Sequence, residues 1–311
     1  MALSTLSAAT FHPLTVSPGL GRPSEKQPSG SDVAVSSQGA GRDLRPRPSG
    51  APLSDCLASL AGAVGDRSAI EWTEATWNPT TGCDQTSPGC DRCYALTLSK
   101  RLKAMGSAKY QRDGNPATSG PGFGLTLHPD VLDLPKRWVA PRTVFVNSMS
   151  DLFHEEVPVD FIQQVFDVMV ETPQHTYQIL TKRAKRLAKV SPVLPWPANV
   201  WMGVSIETDR YAFRASHLRH VPAAVRFLSI EPMLGPVPSL DLTDIHWVIA
   251  GGESGPRARP INRSWLLDLQ RQCASSGIAF FFKQWGGRTP KAGGREIDGQ
   301  TWDEMPSRMV V

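Results

Sequence analysis

Residues 200–230 read VWMGVSIETDRYAFRASHLRHVPAAVRFLSI. Two apolar runs, Val200–Ser205 and Val225–Ile230, flank a stretch long enough for one helical crossover. A strand buried on both faces reads as a continuous apolar run rather than as alternation, and such strands belong to parallel sheets. Outward from this pair the pattern repeats. Upstream lie 143–147 (TVFVN) and 177–180 (YQIL); downstream lie 246–250 (HWVIA) and 278–282 (IAFFF). Successive runs start roughly 21 to 34 residues apart, room for a helix between parallel neighbours. Between them, 158–171 opens on a proline and carries Ile162, Val165, Phe166 and Met169 at 3–4 spacing, and 262–275 opens on an Asn cap followed by Leu266, Leu267 and Leu269; both predict helices. The expected fold is α/β, a partial or closed (β/α) barrel of parallel strands over residues 66–311, close to the ~250 residues such barrels take.

Upstream of these repeats the pattern is less regular. Residues 70–78 predict a first strand, 91–105 a helix, 125–127 a strand and 129–138 a helix, with a Gly/Pro/Ser-rich loop over 106–124. Residues 1–65 hold 11 Ser, 7 Pro and 8 Gly with Phe11 as the one aromatic, too little apolar surface to offset ordering entropy. They are expected to form a disordered tail, with a short helix over 54–64; a transit peptide and a misassigned translation start are the alternatives.

Of the 311 residues 40% are apolar and 20% charged, and the formal net charge is +4. No run approaches the ~18 apolar residues of a membrane helix, and the charge is too mild to identify a nucleic-acid binder by itself. Five cysteines do not make a disulfide scaffold. With no basic and apolar leader pattern, a reducing, cytoplasmic location is expected.

In a parallel barrel, chemistry sits at the C-terminal ends of the strands. Reading past each run gives Asn147, Ser148, Ser150 and Asp151; Thr181, Lys182 and Arg183; Ser205 and Glu207; Glu231; Gly251, Gly252, Glu253 and Ser254; and Lys283, Gln284 and Trp285. Helix caps and solvated loops favour several of the same residue types, but six such ends on one face favour a site. The pair Gly251–Gly252 fits either a turn or a cradle for a cofactor edge; the third spaced glycine of a dinucleotide loop is lacking.

The sharpest feature is CDQTSPGCDRC at 83–93. Thiolates as close as Cys83, Cys90 and Cys93 repel unless a cation lies between them. Structural zinc wants four closed ligands, and no fourth Cys or His lies near. Three cysteines on an iron–sulfur cubane would leave one iron open. Cys273, on a helical stretch with apolar neighbours, reads as a packing residue.

Residues 70–79 (IEWTEATWNP), the segment from Gly82 to Ala95, and 145–154 (FVNSMSDLFH), 180–183 (LTKR), 227–232 (FLSIEP), 251–255 (GGESG) and 281–286 (FFKQWG) together resemble the phage-associated three-Cys-motif family. The resemblance covers about 68–306. That family in turn resembles, more distantly, radical S-adenosylmethionine (SAM) enzymes, whose three cysteines bind a 4Fe–4S cluster. There the open iron chelates SAM, and an electron from the cluster cleaves SAM to methionine and a 5′-deoxyadenosyl radical. The usual spacing is C-x3-C-x2-C; here six residues separate the first two cysteines, and Arg92 stands where an aromatic often precedes the third.

The resemblance implies an enzyme with Cys83, Cys90 and Cys93 on the cluster and Asn147, Ser148, Ser205, Glu207 and Glu231, with Gly251, Gly252 and Glu253, about SAM. It implies an electron donor of reductase or flavodoxin type. Lys182, Arg183, Arg257, Arg259, Lys283 and Trp285 would line a basic, aromatic mouth suited to a nucleic acid or nucleotide. Two alternatives stand beside this. One is a zinc-stabilised, non-catalytic binding module. The other is a metal-free hydrolase using Asp151, His154, Glu207 or Glu253, with His154 expected on the surface.

Overall fold

The computed structural model describes residues 70–289 and 292–306. The tail expected over 1–65 lies outside them. Seven strands form one sheet: β1 (Ala75–Trp77), β4 (Thr143–Val146), β5 (Thr176–Thr181), β6 (Val200–Ser205), β7 (Val225–Ile230), β8 (Trp247–Gly251) and β9 (Ala279–Gln284), hydrogen-bonded in that order. Every pairing in this sheet is parallel. The helices are α1 (Tyr94–Ala104), α2 (Val159–Glu171), α3 (Ala184–Val190), α4 (Phe213–Arg219) and α5 (Arg263–Ser275). Asn262 caps α5, its Oδ1 accepting from the Ser264 N–H at 2.9 Å. No helix among the described residues is long and apolar enough to cross a membrane.

The sheet is curled into a partial barrel. Strands β4 and β8 are four neighbours apart, about 19 Å in a flat sheet at the usual strand spacing. Yet the Trp72 ring lies 4.9 Å from Phe145 on β4 and 6.0 Å from Trp247 on β8, centroid to centroid. Alternation then divides the strands. Val144, Val146, Tyr177, Ile179, Met202, Val204, Leu228, Val248 and Phe282 face the helices in the main core. Phe145, Trp201, Phe227, Trp247, Ile249 and Phe281 point inward with Trp72 and make an aromatic floor. Continuing inward at period two, Lys182, Ser205, Ser229, Glu231 and Lys283 stand above that floor.

Two expectations are corrected, and a strand expected outside the regular repeats is found. Residues 129–138 are not one helix but two 3-10 turns, Pro129–Val131 and Pro135–Arg137; Pro135 has no N–H to continue the first. The strand expected at 125–127 is β3 (Thr126–Leu127), which pairs antiparallel with β2 (Thr80–Thr81) outside the barrel. The connection from β7 to β8 contains no helix; Pro232, Pro236 and Pro238 forbid one. A short hairpin, β10 (Glu296–Ile297) and β11 (Gln300–Thr301), follows the barrel.

Candidate active site

The 83–93 loop lies over the C-terminal mouth of the barrel, fastened at several points by side chains from distant strand ends. At its start, the Asp84 carboxylate accepts from Ser119 Oγ at 2.9 Å and from Thr118, and pairs with His154 Nε2 at 3.0 Å. These hydrogen bonds outweigh the burial that would raise the Asp84 carboxyl and hold it below the usual range. His154 is 3% exposed, which corrects the expectation of a surface group.

At the middle of the loop, Ser87 Oγ donates to Glu207 Oε1 at 2.7 Å. Glu207 is fully buried; Arg214 donates to its other oxygen at 3.0 Å, and Lys182 Nζ lies 3.6 Å away. A Cβ on Gly89 would stand 2.6 Å from Glu207 Cγ, so only glycine lets the loop rest on this carboxylate. At the far side, Arg259 donates to the Pro88 carbonyl at 2.8 Å and pairs with Asp91 at 3.4 Å. Arg259 is itself held by Glu253 at 2.6 Å, and Arg92 joins the same carboxylate at 3.1 Å. Burial would raise Glu253, but the Arg259 hydrogen bonds prevail and depress it.

The three thiols are free and half-buried. Cys83 and Cys93 lie against a small apolar cluster of Ala95, Tyr110, Phe123 and Met149. Burial pushes the Cys83 thiol up to about 12, with Asp151 adding to the rise and Arg183 opposing it. Arg183 Nη1 donates to Cys83 Sγ at 3.4 Å and Nη2 to the Asp84 carbonyl at 3.2 Å. Asp151, 6% exposed, anchors the start of this chain: it accepts from Thr181 Oγ1 at 2.7 Å, from the Lys182 N–H at 3.1 Å and from Arg183 at 3.4 Å. Burial would lower Lys182, but the Glu207 carboxylate, with Cys90 and Cys93 behind it, raises it.

Among the described residues, no three His, Cys, Asp or Glu side chains are gathered about a point where one metal ion would sit. A tetrahedral thiolate site on a single zinc, with bonds near 2.3 Å, puts its sulfurs about 3.8 Å apart. A cubane takes each thiolate on a separate iron and accepts a wider triangle. The donor set, three half-buried thiols with cations alongside, fits the second class in chemistry.

The expected strand-end residues do converge, and most of them are engaged. Asn147, at φ 61°, accepts from the Thr80 N–H at 3.3 Å and donates to Thr80 Oγ1 at 3.0 Å. Ser148 Oγ donates to Asn78 at 3.1 Å, and its carbonyl accepts from Tyr94. A Cβ on Gly252 would fall 1.9 Å from the Trp285 carbonyl oxygen, and one on Gly251 would meet Glu231 at 3.3 Å. The Trp285 indole donates to the Glu296 carbonyl at 2.8 Å, and its ring packs on Phe282 at 5.0 Å. Lys283 is paired with Glu231 at 2.8 Å inside the barrel. Ser205, buried, offers its carbonyl to Arg214 at 2.7 Å. Arg257 lies exposed on the rim. Asp84, Ser87 and Arg214 were not among the expected site residues; only their place beside strand ends or cysteines marks them in the sequence.

The model of the family described as protein of unknown function (DUF5131) matches residues 67–306, and the chain belongs to that family. No curated protein matches the chain. Among solved structures, a cysteine-to-alanine variant of spore photoproduct lyase with dinucleoside spore photoproduct is similar at 13% identity and TM-score 0.40, over 61% of this chain and 58% of that one. A double variant of the same enzyme with bound AdoMet and the dinucleoside is similar at 13% identity and TM-score 0.38, over 61% and 59%. The chain thus spans less than two thirds of the length of these structures.

Proposed function

We propose that this DUF5131 member is a radical-SAM-type enzyme, with Cys83, Cys90 and Cys93 holding a 4Fe–4S cluster over the barrel mouth. One observation carries the reading: three free, half-buried thiols share a loop fastened across the C-terminal end of a parallel partial barrel by Arg183, Glu207, Glu253 and Arg259. When bound, the cluster supplies the electron for one-electron cleavage of SAM. The chain's own residues position that chemistry and keep water from it.

The roles of the strand-end residues follow from their partners. Glu253, Arg259 and Asn147 hold backbone, Glu207 holds the Ser87, Arg214 and Lys182 side chains, and Gly251 and Gly252 give β8 its close approach to Glu231 and β9. Ser205 and Glu231, above the aromatic floor, are the interior groups assigned to SAM. The Glu231 carboxylate suits an amine or ribose hydroxyls, and Ser205 a short polar contact. Reduction calls for an electron donor of reductase or flavodoxin type. The zinc-stabilised module is less favoured, since it needs four ligands about one ion.

Anaerobic reconstitution with iron and sulfide tests this directly. Wild type is expected to take up about four iron per chain, give a reducible cluster by visible absorption and EPR, and change its EPR signal on addition of SAM. The variant Cys83→Ala/Cys90→Ala/Cys93→Ala is expected to retain essentially no iron. A colourless wild type holding zinc or no metal overturns the reading.

For the substrate we propose a nucleic acid or nucleotide. Of the basic residues read from the sequence, Arg183 and Arg259 are occupied by the cysteine loop and Lys182 by Glu207, leaving Arg257 on the rim and Lys283 inside beside Glu231; Arg288 and Tyr94 are exposed as well. A site using Arg257, Lys283 and Arg288 together should lose DNA or RNA affinity about tenfold or more between 50 and 200 mM salt. No binding at low salt would remove this substrate class.

A further inference from the structure

Lys182 and Arg183 follow β5 and were expected to greet a substrate. The geometry gives Arg183 another occupation. Its guanidinium is largely buried, with the side chain 9% exposed, and its donors are divided among Cys83 Sγ at 3.4 Å, the Asp84 carbonyl at 3.2 Å and Asp151 at 3.4 Å. Asp151 is fixed in turn by Thr181 Oγ1 and the Lys182 N–H. A guanidinium oriented by a buried carboxylate onto a thiol is a fixed positive charge aimed at one sulfur. The planar fork reaches these acceptors from two nitrogens in fixed directions, whereas lysine would offer its donors from a single point.

We propose that Arg183 is a tuning residue that raises the reduction potential of a cluster held by Cys83, with Asp151 as the counterweight that limits the rise. This rests on the cluster reading above. A thiolate-held cluster becomes more negative by one charge on reduction. A cation hydrogen-bonded to a coordinating sulfur stabilises the reduced form, and a nearby carboxylate stabilises the oxidised one. The two residues act with opposite sign from a single network, and this makes the assignment separable from damage to the fold.

The experiment is a mediated dithionite titration of reconstituted protein, followed by EPR, with dithionite as the source of the single electron. Arg183→Gln removes the charge and leaves Asp151 uncompensated. Its ratio of reduced to oxidised cluster at fixed potential is expected to fall at least tenfold, a downward shift of about 59 mV or more for one electron. Arg183→Lys should recover at least half of that shift. Asp151→Asn should move the potential upward; water entering a loosened site also favours the more negative, reduced cluster, so the downward shift of Arg183→Gln is the direction that loss of packing does not produce, and the residual downward shift of Arg183→Lys decides the matter if Arg183→Gln fails to retain iron. A loaded wild type with unchanged potentials in Arg183→Gln, or in Asp151→Asn, overturns the role of Arg183 alone. A wild type that takes up no iron and sulfide overturns the cluster reading and this proposal with it.

Discussion

Glu207→Ala is expected to destabilise the fold by about 3–5 kcal/mol, the usual range when one partner of a buried ion pair is removed. Glu207 is fully buried, and so nearly is the Arg214 side chain, 3% exposed, that donates to it at 3.0 Å. Without the carboxylate, Arg214 keeps the Ser205 carbonyl and its place over the Tyr211 ring, 4.4 Å from the centroid, but its charge loses its counterion. Lys182 loses the same partner, and Ser87 loses its acceptor. The damage therefore reaches the cysteine loop as well as the core. Denaturant unfolding measures the first effect, and deuterium exchange over residues 84–92, expected to quicken, measures the second. Glu207→Gln keeps the shape and an acceptor for Ser87 and should restore loop protection more fully than stability. A wild-type unfolding midpoint in Glu207→Ala would mean that the carboxylate does not support the barrel mouth.

Gly252→Ala is expected to cost about 3 kcal/mol, the upper part of the usual overpacking range, and to lower the melting temperature by about 6–12 °C for a domain of this size. The added carbon would fall 1.9 Å from the Trp285 carbonyl oxygen, which is backbone and cannot rotate aside. The Gly252 N–H also donates to the Gln284 carbonyl at 2.8 Å, so relief requires β8 and β9 to part. Gly251→Ala is the control. Its carbon would meet the Glu231 side chain at 3.3 Å, a neighbour able to yield, and its effect should be small. Thermal melts of the two variants separate the readings of this glycine pair. Equal, small losses would restore the cradle for a cofactor edge.

The barrel was legible because its strands are buried on both faces. The runs at 200–205 and 225–230 coincide with β6 and β7 to the residue, since no solvent-facing position interrupts them. The inward aromatic floor was present in the same letters, at alternate positions of the strands, but alternation between two apolar faces leaves no contrast to read. Helix 129–138 failed at Pro135, where a backbone donor is lacking. The cysteine loop stands out in the sequence by its spacing. Its fastenings do not, because each joins residues far apart along the chain: Asp84 to His154 across 70 positions and Cys83 to Arg183 across 100. Beside Glu155 and Glu156, His154 looked solvated; the carboxylate that draws it inward belongs to another segment.

The sheet is ordered as the chain is written from β4 onward, each strand lying beside the one before it, so a growing polypeptide can add strands one at a time. The thiol-bearing loop cannot keep that schedule. Ser87 waits 120 residues for Glu207, and Pro88 waits 171 for Arg259. The thiols therefore leave the ribosome well before the groups that will enclose them. Translation leaves an interval in which they are open to oxidation, and it closes when the segment after β8 that carries Glu253 and Arg259 arrives.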